Sequence, residues 1–189
     1  MSNIFKQKGF TLIEIVVSAG IFGVIMLIVV GMFSRFTLVQ RYSIAQQGLS
    51  EDIRFAMELI SREVRTGYGS TFEVLPTGDG VSFRNQNGAC VGYKLIDEKI
   101  ERAEVAGLGD DCSLRDGAWT AITSEKTQIQ GIRWDVTPAR VNQDGLPENQ
   151  GFITISLKAQ STAQLGATLN LQTTITSRQV AIYSSETNL

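Results

Sequence analysis

KQKGFTLIEIVV, residues 6–17, places one carboxylate, Glu14, at the threshold of an uninterrupted apolar run. From Ile15 to Ser34 no side chain is charged. At helical rise that run spans roughly 30 Å, the thickness of a bilayer's hydrocarbon core, so its length predicts a membrane-spanning helix. An ionised carboxylate well inside a bilayer costs roughly 2.5–3.5 kcal/mol on insertion scales. The following apolar turns carry no cation, so a partner for Glu14 has to lie at the segment's own beginning or on another molecule. A secretory signal is the competing reading, with Lys6 and Lys8 as its basic start and Ser18, Ala19 and Gly20 as small residues near a cleavage point. The run is longer than the usual apolar core of such a signal, and Glu14 would lie inside it. Charge alone leaves orientation nearly balanced, because Arg35 and Arg41 follow the run as Lys6 and Lys8 precede it.

Beyond Arg35 the pattern turns amphipathic. Leu49, Ile53, Ala56, Met57, Ile60 and Val64 recur at three- and four-residue spacings, with Glu51, Asp52, Arg54, Glu58, Arg62 and Glu63 between them. This predicts a helix with one buried face; the spacing does not hold the strict heptad of a coiled coil. No proline interrupts residues 10–66, and Arg62 and Arg65 precede Gly67, which reads as a basic last turn with a glycine cap. A continuous helix over 10–66 would run about 85 Å. After Tyr68 the period changes to two. VSF at 81–83, VGYKL at 91–95, IRWDV at 132–136, ITISL at 153–157 and LNLQTTI at 169–175 alternate apolar and polar side chains, as half-buried strands do. Turn signals separate them: TGDG at 77–80, NQNG at 85–88, DE at 97–98 and QDGLPENQG at 143–151. The predicted fold class is α+β, a long helix whose second half covers one face of an antiparallel sheet.

The 189 residues carry a net charge of −2 with no long basic run, so no nucleic-acid partner is predicted. The absence of histidine removes the commonest general base and zinc ligand, and with it a Ser-His-Asp arrangement. TGYGS at 66–70 follows a helix and lacks a P-loop lysine, which argues against phosphate binding. No enzyme and no cofactor is predicted. Two loops gather oxygen donors in a way that admits calcium: Asp110, Asp111 and Asp116 in GDDCSLRDG, and Asn142, Asp144 and Glu148 in NQDGLPE. Neither has EF-hand spacing, and aspartates in glycine-rich loops are ordinarily solvated turn residues. Two cysteines, Cys90 and Cys112, are present. If the domain is exported, pairing them closes a loop and stabilises by roughly 3.4 kcal/mol in the chain-entropy picture; otherwise they are two buried thiols.

KGFTLIE, a basic leader ending in Gly9 followed by Phe10, Thr11, Leu12, Ile13, Glu14 and a spanning apolar run, resembles the N-terminus of type IV pilins and type II secretion pseudopilins. The resemblance implies a division into a leader (1–9), a transmembrane and filament-core helix (10–34), its amphipathic continuation (35–67) and a β-sheet head (68–189). It implies that a prepilin peptidase cuts between Gly9 and Phe10 and methylates the Phe10 amine. It implies that Glu14 neutralises the N-terminus of a neighbouring subunit or its own, as an assembly residue. The partners implied are other pilin or pseudopilin subunits, the peptidase, membrane lipid and an inner-membrane assembly platform. The place implied is the cytoplasmic membrane, crossed once with the head exported, and then the filament. The helix end EDIRFAMELISREVRTG, the two-cysteine loop and the late strand LQTTITSRQV resemble minor subunits of the tip-complex type, which points to assembly initiation or the tip. Ala19 and Gly23 have the small-xxx-small spacing of closely packed membrane helices. The proline that bends many major pilins is missing, which leaves Gly31 as a soft point. The alternative reading is a membrane-anchored surface module that binds a secreted substrate, DNA or a surface without entering a filament.

Overall fold

A computed structural model describes residues 9–106, 112, 114, 117–142, 147–163 and 166–178. The chain divides into two units, Met1–Ser43 and Ile44–Leu189. The first unit is the early part of α1 (Leu12–Thr66), which runs unbroken through Gly31. Its large apolar side chains are exposed from Leu12 to Tyr42. It contains a stretch long and apolar enough to cross a membrane, and no side chain of that stretch is buried.

The second unit holds the remainder of α1, which buries Leu49, Ile53, Ala56, Met57, Ile60 and Val64, the positions marked out by the three- and four-residue spacing. After a short 3-10 turn at Gly69–Thr71, β1 (Glu73–Val74), β2 (Gly80–Arg84), β3 (Cys90–Ile96), β4 (Lys99–Val105) and β5 (Thr120–Ala121) form an antiparallel sheet in chain order. β6 (Thr127–Thr137), then a ribbon of β7 (Arg140–Val141) and β8 (Pro147–Asn149), then β9 (Phe152–Ser161) and β10 (Thr168–Thr176) complete the order. The second sheet runs β10-β9-β6, again antiparallel. One core joins the helix to both sheets: Ile53, Met57 and Ile60 pack with Val81, Phe83, Val91 and Tyr93 of the first and Ile129, Trp134, Ile153 and Ile155 of the second. The five strands read from period-two alternation are all present, and the architecture is the α+β arrangement expected.

Local chemistry explains the turns. Gly78 and Gly88 sit at φ 74° and 80°, a region open to glycine and strained for most side chains. Asn85 closes its turn with Oδ1, accepting from the N–H groups of Asn87 and Ala89. The end of α1 departs from the expectation of a left-handed glycine cap, since Gly67 is not among the positive-φ glycines. A Cβ there would lie 2.7 Å from Cδ2 of buried Phe83, so glycine is needed for close approach. The last helical carbonyls are satisfied from the other end of the chain: Arg178 N donates to Arg65 O (3.0 Å) and Ser177 Oγ donates to Gly67 O (2.6 Å).

β2 and β3 are buried on both faces at Gly80–Phe83 and Cys90–Tyr93. One face meets the helix. On the other, Ser82, Gly92 and Ala103 stand opposite one another across β2, β3 and β4 and form a row of small residues. Leu114 fills the trough they leave: a Cβ on Gly92 would lie 2.2 Å from Leu114 Cδ1 and 3.3 Å from Trp119 Cη2. Lys94 Nζ stands 4.2 Å from the centre of the Trp119 ring, a cation–π contact at the trough's edge.

Candidate assembly and processing site

The N-terminal residues are arranged by helix initiation. Gly9, Phe10 and Thr11 precede α1 and are exposed, and nothing lies within 4 Å of where a Gly9 Cβ would stand. Thr11 accepts the N–H of Glu14 at its backbone oxygen (3.1 Å) and at Oγ1 (3.4 Å), satisfying one of the donors that a helix start leaves open. Thr11 and Glu14 therefore have the spacing of a capping box, and Glu14 lies in the first turn, where the helix dipole favours an anion. Among the described residues no cation pairs with Glu14. Gly9, Phe10 and the Glu14 carboxylate thus occupy one short exposed segment at the head of the apolar helix. Gly20, Gly23 and Gly31 have no heavy atom within 4 Å of a built Cβ, so their smallness serves no packing inside the chain.

In the head, Cys90 and Cys112 are paired, with Cα atoms 5.4 Å apart. Cys90 opens β3 and both cysteines are buried, packed with Leu114, Val105 and Trp119. The disulfide ties Cys112 to β3 close to Leu114, which lies against the small-residue row. The calcium residues Asp110, Asp111, Asp116 and Asp144 lie outside the described residues; Asn142 and Glu148 are described and exposed. Among the described residues no three His, Cys, Asp or Glu side chains cluster as a metal site would require.

The spacing argument set Glu63 among the charged residues between the apolar positions, and its placement differs. The Glu63 carboxylate accepts from Arg102 Nη2 (2.8 Å) and Nε (3.1 Å) and from the Tyr93 hydroxyl, while Arg102 Nη2 also reaches Glu104 Oε2 (2.7 Å). Arg102 and Glu63 are only 24% and 21% exposed, a partly buried bidentate pair that locks the end of α1 across β3 and β4. Burial, reinforced by the Glu63 hydrogen bond, pushes the Tyr93 phenol far above its ordinary value. The hydrogen bond to Glu63 likewise raises Arg102. The available signal was position: Glu63 follows Ile60 by three residues and adjoins Val64, at the margin of the buried stripe. Asp52, on the same side of the helix, accepts from Ser124 N (3.0 Å) and Oγ (3.2 Å) and fixes the loop before β6.

Two family profiles match the chain. The profile for prepilin peptidase-dependent protein B covers residues 42–177, most of the head. The chain belongs to this family. The prokaryotic N-terminal methylation motif covers residues 4–30, which include Gly9, Phe10, Glu14 and most of the apolar run. No curated protein and no solved structure matches the chain. Together the matches make it a type IV pilin-like prepilin, a subunit of the pilin or pseudopilin type, and imply prepilin peptidase and pilin subunits as its partners. These are structural families rather than enzyme families. The apolar helix fits a single-pass membrane anchor.

Proposed function

We propose that this family member is a minor subunit of a type IV pilus or type II secretion pseudopilus, acting in assembly initiation or at the tip. In this reading residues 1–9 are removed between Gly9 and Phe10, the Phe10 amine is methylated, residues 10–34 hold the chain in the membrane and then in the filament core, and the head is exported. The observation that carries it is the exposed Glu14, without a cation partner among the described residues, in the first turn of a helix whose large apolar side chains from Leu12 to Tyr42 are all exposed. A carboxylate there gains from a neighbour's ammonium terminus in a low-dielectric setting, which offsets its desolvation. The uncovered glycines at 20, 23 and 31 suit close helix packing between subunits. The disulfide supports export, because such bonds persist in oxidising compartments.

The test is the mass of the native, membrane-extracted polypeptide together with a Glu14→Leu variant. The mature chain should begin at methylated Phe10. The variant should insert and be cut normally but lose at least tenfold of its incorporation into sheared filaments. Subunit counting in those filaments should find a few copies per filament for the parent chain; copy numbers matching the main subunit would refute the minor role.

A further inference from the structure

The head carries two uncovered faces whose relief and charge match. On α1 the side opposite the buried stripe presents Glu51, Phe55, Glu58 and Arg62, all exposed. Phe55 is 62% exposed, the most open aromatic side chain of the second unit among the described residues. A glutamate thus stands one helical turn on either side of an uncovered ring, with a cation one turn further on. The second face is the outer side of the β6-β9-β10 sheet. Register sets Gly131 beside Lys158 in one row, Arg133 beside Ser156 in the next and Asp135 beside Thr154 in a third. The first two rows hold a depression of about 610 Å³, with Gly131 and Ser156 as its low points and Arg133 and Lys158 at diagonal corners. A Cβ built on Gly131 would have no heavy atom within 4 Å. Among the described residues, Glu51, Glu58, Arg62, Arg133, Asp135 and Lys158 form no ion pair.

Charge order supplies the occupant. In chain direction the helix face reads anion, ring, anion, cation, while the rows met along β6 read cation (Lys158), cation (Arg133), anion (Asp135). Helical rise sets Glu58 roughly 10 Å beyond Glu51 and Arg62 roughly 6 Å beyond Glu58, and the rows stand roughly 7 Å apart, differences that long side chains absorb. The two series complement each other only when α1 of one head lies along β6 of another in the same direction. Within a head α1 runs with β10, since Gln46 Nε2 donates to Thr168 O (3.4 Å) near the start and Arg178 N donates to Arg65 O (3.0 Å) at the end. β9 is antiparallel to both β10 and β6, so β6 also runs with α1. Two heads joined in this way therefore point in one direction, as subunits of one filament do. We propose that a second copy of this chain docks here: Phe55 of one head fills the depression over Gly131 and Ser156 of the next, Glu51 meets Lys158, Glu58 meets Arg133 and Arg62 meets Asp135. The contact joins two different faces, so each pairing leaves one of each open and adds copies in a row rather than closing a dimer. It rests on the subunit reading above, which brings equally oriented copies together.

Cross-linking of the full chain in membranes tests this. Cys90 and Cys112 are the chain's two cysteines and are bonded to each other, so introduced thiols are the ones that react. Gly48→Cys, one turn before Glu51 on the exposed side of α1, and Asn170→Cys, in the Lys158 row, are placed in separate chains and co-expressed, and a short bis-maleimide is added. The mixture should give a cross-linked dimer and either chain alone should not. Phe55→Ala should lower the yield about tenfold, as the loss of a central aromatic anchor does. Glu58→Arg in the Gly48→Cys chain should lower it as well, and Arg133→Glu in the Asn170→Cys chain should then restore it, an exchange that a misfolded head would not allow. The proposal is overturned if the mixture gives no dimer, if either chain alone cross-links as strongly, or if Phe55→Ala and the charge exchange leave the yield unchanged. Because the reading is taken in membranes, a missing cross-link in a chain that is cut and enters filaments normally defeats this contact and leaves the subunit reading standing. A cross-link in a chain that is never cut supports the contact and counts against that reading.

Discussion

At the scale of single residues, Gly67 separates two physical reasons for a glycine. As a left-handed cap it would tolerate asparagine, the next best residue in that conformation. As a point of close approach it tolerates neither, and the larger side chain is worse. Its φ lies outside the left-handed region and Phe83 Cδ2 stands 2.7 Å from a built Cβ. Gly67→Ala should therefore cost about 1–3 kcal/mol, in the range of overpacking, and Gly67→Asn should cost more, as read by thermal melts of the detergent-solubilised chain. Tyr93 gives a pH signature. Its raised phenol means that the folded chain keeps a proton that the unfolded chain releases near pH 10. This contribution to stability is complete below about pH 10 and is lost as pH climbs from there toward the folded value. Of the four tyrosines, Tyr93 should develop phenolate absorbance only as the head unfolds, and Tyr93→Phe should flatten the fall of stability above pH 10. The buried helical positions were legible because apolar spacing reports them directly. Glu63 was not, since a charge at the margin of a stripe reads the same whether it faces water or an arginine two strands away.

Among the elements, the β3–β4 hairpin carries the clearest local conflict. Asp97 and Glu98 form a two-residue connection with φ of 44° and 62°, the positive values of a type I′ turn. Non-glycine residues enter this region at a cost of roughly 1–2 kcal/mol each, and Asn-Gly is the pair that best relieves it. The combined change Asp97→Asn and Glu98→Gly should raise stability by about 1 kcal/mol, or roughly 2–4 °C in Tm for a domain of this size. What it forfeits is the Glu98 carboxylate's contact with Gln128, which is exposed and contributes little. The turn at 97–98 was legible as a polar pair after the alternating run at 91–95, whereas β4 (Lys99–Val105) beyond it was not among the runs read from alternation. β6 shows the opposite case. Sequence alternation marked only residues 132–136, yet the strand spans Thr127–Thr137, because a bulge between Ile129 and Gly131 shifts the register. Ile129 and Trp134 are both buried although they differ in parity, so a strict period of two fails across the bulge.

For the whole molecule, the division of labour was legible at the front and only partly behind it. An uncharged run of membrane length followed by an amphipathic stripe dictates an anchor that continues into a packing helix. Which strands share a sheet is decided by pairings between distant residues, and local alternation does not carry that information. The trough of Ser82, Gly92 and Ala103 is of this kind, since these three small residues align only when β2, β3 and β4 are in register. The disulfide holds the cover over that trough and closes a sequence separation of 22 residues, for which chain entropy gives roughly 3 kcal/mol. A chain with Cys90→Ser and Cys112→Ser should unfold at lower denaturant by about that amount. It should also show a red-shifted Trp119 signal, isolated in a Trp134→Phe background, before far-UV circular dichroism is lost, as Leu114 and the loop lift from the sheet while the helix-side core stays packed. Reduction of the parent chain should reproduce both changes. Equal midpoints for oxidised and reduced chains would mean that Leu114 and Trp119 hold the loop without the bond. A large difference would make the head measurably weaker in any reducing compartment than after oxidation, and so couple its stability to the proposed export of the head.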